Sequence, residues 1–172
     1  MARNIVTAFI TFICFLLQTT VFKALSFGGI SPNLPIIITV SYGFMRGKKT
    51  GLYVGFFSGL LMDIFFGEVI GLYALLYMYI GFAIGFLHEL FFKEDIKLPI
   101  LLVAAIDFGY NFIFYCLLFL LRGRFRLPYY FLNVMIPELV YTVIITVLLY
   151  PLLFLINRKF DQIEKRSAKK FV

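Results

Sequence analysis

The chain has 172 residues, of which 62% are hydrophobic and 15% charged, with a formal net charge of +7 and a mean hydropathy of +0.97. Soluble domains carry about 25% charged residues and cannot hide this much apolar side chain, so the composition excludes an ordinary soluble protein. The basic residues fall in short stretches between apolar runs rather than on one face, which excludes a nucleic-acid binder and reads as topology signal.

In chain order the apolar runs predict transmembrane spans at about 5–25, 32–45, 50–66, 70–92, 98–121 and 137–156. The first starts behind Met1-Ala-Arg-Asn as a signal peptide would. No small-x-small cleavage site follows, and the run continues through Gln18 to Val21, so it reads as an uncleaved span. The second is short for a crossing, and Pro32 and Pro35 suit its start. Cys14 and Cys116 lie inside apolar runs without ligand spacing, so neither a disulfide nor a metal site is expected. Residues 127–136 are too few to span. They read either as an interfacial segment or as the first part of one long helix kinked at Pro137. Residues 1–156 thus form one transmembrane domain, and 157–172 a basic cytoplasmic tail.

Six spans place both termini on one side, with 12 basic residues there against 4 on the other, which predicts cytoplasmic termini. Arg122-Gly-Arg-Phe-Arg126 dissents, since it puts three arginines outside. Leaving out the short second span would move that stretch inside.

The third span carries a ladder. Glycine falls at Gly51, Gly55 and Gly59, Asp63 takes the next rung, and Gly67 and Gly71 continue the step; Gly81 and Gly85 repeat it in the fourth span. In water each such glycine costs about 1 kcal/mol relative to Ala. In lipid, small residues four apart let backbones approach closely. Four residues advance roughly 400° around a helix, so the rungs wind into an inclined ridge suited to a tilted crossing. The ridge is expected to pack another helix of this chain or a partner's.

Ionisable groups within spans are the other candidates. Asp63 lies about 20 Å along its helix from Thr50, near the outer interface, and reads as a polar lock between helices or a partner contact. Asp107 lies about 13 Å beyond Leu98, near mid-bilayer, with Asn111 one turn on and placed to hydrogen-bond it. The pair predicts a buried polar network facing the bundle interior, with no Lys or Arg at that depth. Glu138 follows Pro137 and reads as a first-turn carboxylate at a helix start. His88 is the one histidine, so no HExxH site exists and neither catalysis nor a cofactor is expected.

An ordered set of residues resembles the rod shape-determining protein MreD family of bacteria. It runs from Leu16-Leu-Gln18-Thr-Thr20 and Gly29-Ile-Ser-Pro32-Asn33-Leu34 through Arg46-Gly47 to Gly51, Gly55-Phe56, Gly59-Leu-Leu-Met-Asp63, Gly67 and Gly71-Leu72. The specific match covers about residues 15–85, and Asn33 stands where the family commonly has Asp. The resemblance implies a non-enzymatic, multi-pass protein of the bacterial inner membrane, acting in the complex that builds the lateral cell wall. Its implied partners are the bitopic protein MreC, the actin-like MreB, a glycan polymerase and a class B penicillin-binding protein. The implied fold is an all-α helical bundle similar to the substrate-binding subunits of energy-coupling-factor transporters. That likeness, with Asp107 and Asn111 at depth, supports an alternative function as a small-molecule binding subunit.

Overall fold

The computed structural model describes residues 2–26, 29–67, 70–90, 96–117 and 127–169, and Arg122–Arg126 lies outside them. The elements are helical: α1 (Ala2–Thr19), α2 (Val21–Ala24), α3 (Leu34–Arg46), α4 (Lys48–Phe66), α5 (Leu72–Leu90), α6 (Lys97–Tyr115), α7 (Leu127–Tyr130), a π-helical turn (Phe131–Met135) and α8 (Ile136–Lys169). Among the described residues, four helical segments are long and apolar enough to cross a membrane: Arg3–Ala24, Lys48–Phe66, Lys97–Tyr115 and Pro128–Ile163. Leu34–Arg46 and Leu72–His88 are shorter apolar helices. The chain is a helical membrane bundle.

The short α3 is its spine. Every residue from Leu34 to Met45 is buried. Leu34, Ile38, Tyr42 and Met45 pack with Cys14, Val54, Tyr150 and Leu153, while Ile36, Ile37, Val40 and Phe44 pack with Tyr77, Ile84, Val103 and Tyr110. A helix apolar all round belongs in the interior, and 13 residues suffice because α3 has no lipid face to cover. Asn33 caps it by accepting the Ile36 amide at 3.4 Å, with Pro35 in the first turn. Gln18 Oε1 accepts a second free amide, that of Leu34, at 3.0 Å.

One residue, Gly47 at φ +83, reverses the chain from α3 into α4, a conformation only glycine adopts freely. At the same end His88 Nδ1 bonds the Phe44 carbonyl, a last-turn oxygen of α3. Arg3 bridges to Asp161 at 2.8 Å and to Asn157 at 3.0 Å, so the two terminal helices are clasped there.

Residues 127–136 continue into α8 as one helical run, which is the long-helix alternative of the sequence reading. Pro137 lacks an N–H and its ring crowds the carbonyl four residues back. The wider π turn ahead of it supplies the room, with the Ile136 amide bonding Phe131 O. The helix does not stop at 156. It runs on to Lys169, so most of the basic tail is the end of α8.

Candidate functional site

The glycine ladder is covered by α5. A Cβ on Gly51 would strike the Gly81 carbonyl, one on Gly55 the Tyr77 carbonyl, and one on Gly59 the Tyr73 carbonyl and Ala74 Cα. A Cβ on Gly85 would strike the Lys48 backbone. The paired numbers fall by four on α5 as they rise by four on α4, as in an antiparallel seam of touching backbones held through successive turns. A contact period of four, longer than 3.6, winds such a pair right-handed, which absorbs the drift of the rungs. Gly43 of α3 joins at the same level as Gly51 and Gly81, so three backbones converge at one point. Thr39 and Ser58 share a hydrogen bond of 3.2 Å between α3 and α4.

The lower rungs do other work. Asp63 is 2% exposed and accepts the amides of Tyr73 at 3.0 Å and Ala74 at 2.8 Å. These are orphan first-turn donors of α5, and Gly71, which precedes that helix at φ +99, has no side chain to cap them. The α4 carboxylate therefore caps α5 from outside, where negative charge suits the positive helix end. Gly67 ends α4, its amide bonding Asp63 O at 3.0 Å. Nothing lies within 4 Å of a Cβ on Gly71, so it serves the turn and not the seam.

A second polar centre lies between α3, α5, α6 and α8. Asp107 is 0% exposed, and neither carboxylate oxygen has a hydrogen-bond partner among the described residues. Thr142 and Glu138 of α8 face it. Asn111 does not bond the Asp107 side chain as its spacing suggested; its Nδ2 turns back to the Asp107 main-chain carbonyl at 3.1 Å. Glu138 is likewise no helix cap. The helix has already run from Leu127, and Glu138 faces Asn111 and Asn33. Asn33 ties the cluster together: its amide donates to Thr142 Oγ1 at 3.1 Å and its Oδ1 accepts from Tyr77 Oη at 3.3 Å.

Sequence reasoning missed Asn33, Thr142 and Tyr77 as members of this cluster. Thr142 stands one turn after Glu138, so their shared face was visible, but its meeting with a residue 109 positions away was not.

A family model described as rod shape-determining protein MreD matches residues 2–160, nearly the whole chain. No curated protein and no solved structure matches it. With a match of that extent on a polytopic helical bundle, the chain belongs to the MreD family of rod shape-determining membrane proteins.

Proposed function

We propose that this chain acts without catalysis as a membrane scaffold of the lateral cell-wall elongation complex, holding the single span of an MreC-like partner. Through that partner it joins MreB, a glycan polymerase and a class B penicillin-binding protein. Gly51, Gly55 and Gly59 of the ridge face α5 of the same chain, which favours a docking face elsewhere. The observation that supports the reading is a cavity of about 240 Å³ between α6 and the α7–π segment. Phe108, Phe112, Tyr115, Tyr130, Phe131 and Met135 line it. Phe108 and Phe131 meet edge to face at 6.0 Å, and Tyr115 and Tyr130 pack with tilted rings at 5.0 Å. Such an aromatic hollow at a π turn receives large side chains of a passing helix.

Phe112 is exposed, so truncating it spares the fold. Phe112→Ala is expected to lower recovery of the partner at least tenfold, as an interface aromatic does, and to turn rods into spheres when it is the sole copy. Unchanged shape and unchanged recovery sink the reading. The buried Asp107 cluster favours a second one, small-molecule binding as in energy-coupling-factor transporters. The same purification separates the two. A small molecule that co-purifies with wild type and is lost in Asp107→Leu would favour the transporter reading.

A further inference from the structure

We infer that the groove between α1 and α4 is a binding site for an anionic phospholipid. The groove encloses about 460 Å³ and changes character along its length. At the end of the bundle that carries both termini, Arg46, Lys49, Thr50 and Asn4 line it; deeper in, Ala8, Val54, Tyr53 and Phe57 do. That is the division of an amphiphile, a charged head and an apolar chain.

Among the described residues no carboxylate lines the groove. Asp161, at the same end, is engaged with Arg3 at 2.8 Å. The Arg46 guanidinium donates to Thr7 Oγ1 at 2.7 Å and to Asn4 Oδ1 at 2.8 Å, which orient it at the mouth of the groove. Thr7 is itself 7% exposed and donates to the Arg3 carbonyl at 2.9 Å, so this head site is built into α1 rather than formed by loose surface chains. A phosphate meeting a planar guanidinium, a lysine and a threonine hydroxyl is recognised by charge and by hydrogen bonds together.

The lining favours lipid over protein. Lys49 to Phe57 spans eight residues, about 12 Å of helix, with the basic residues at one end and the apolar ones at the other, as an acyl chain behind its head group requires. Tyr53 and Phe57 are 61% and 56% exposed and form the lateral rim through which a chain enters from the bilayer. Basic pockets between transmembrane helices take anionic head groups in this way.

The site uses a different pair of helices from the aromatic hollow at α6, so either assignment can fail without the other. The test titrates delipidated full-length protein in detergent with phosphatidylglycerol or with phosphatidylcholine of equal chain length, read by native mass spectrometry. Phosphatidylglycerol adducts are expected at about tenfold lower lipid concentration, and the preference fades at high salt. Lys49→Gln, at an exposed position, lowers the preference about fivefold, the worth of one basic residue near an anionic head group. Ala8→Phe fills the apolar half and weakens both lipids alike. Equal affinity of wild type for the two lipids overturns the proposal, as does a preference untouched by Lys49→Gln. A photo-reactive side chain at Tyr53 that captures a protein rather than lipid in native membranes overturns it as well.

Discussion

Asp63 shows how much one side chain can hold when its position is fixed by a helix. Its two oxygens take two amides that α5 cannot satisfy, and both bonds are sheltered from water. Removing the acceptor leaves buried donors unpaired, at about 1–3 kcal/mol each. Asp63→Ala should therefore lower stability by about 2–4 kcal/mol and Asp63→Asn, which keeps one oxygen, by less. Melting of the purified protein in detergent measures the order, and an Asp63→Ala protein as stable as wild type would remove the cap from the account. The sequence marked Asp63 and Asp107 as residues that lipid would not tolerate uncompensated, which is a local property of type and depth. What each one meets was not legible. Asp63 bonds backbone ten and eleven residues on, and Asn111 chose a main-chain oxygen over the carboxylate its spacing offered.

Among elements, the α4–α5 seam carries the clearest test, because glycines in the same protein differ only in what surrounds them. A methyl on Gly55 must displace the Tyr77 backbone, whereas one on Gly109 of α6 meets nothing within 4 Å. Gly55→Ala is expected to cost about 3 kcal/mol by forcing the two backbones apart. Gly109→Ala is expected to be neutral or to gain up to about 1 kcal/mol from helix propensity. If both melt alike, the seam is not the close contact described. The ladder was readable in advance because a four-residue step is written in consecutive sequence, and Gly81 and Gly85 hinted at its mate. The π turn was not. A proline after an apolar stretch reads equally as a helix start, and Glu138 was assigned a cap on that basis. Only the helix already running from Leu127 decides the matter.

At the scale of the whole molecule, Arg3 on Asp161 puts both termini at one end, with Arg46, Lys48 and Lys49 beside them. We propose from the charge count that this end faces the cytoplasm. A cysteine at Gly123 should then react with an impermeant reagent added outside the cell, and protection there would reverse or break the proposed orientation. The helical membrane character was legible from composition because lipid demands long apolar runs of nearly any sequence. The centrality of α3 was not, since enclosure depends on five other helices. That enclosure also bears on how the chain is made. The walls around α3 include α5, α6 and α8, which are synthesised after it. While the chain is still growing, α3 has as companions only α1 behind it and, across the single-residue joint at Gly47, α4 ahead of it. The nascent protein thus holds a short apolar helix half-enclosed, and its maturation is a closing of later helices around an earlier one.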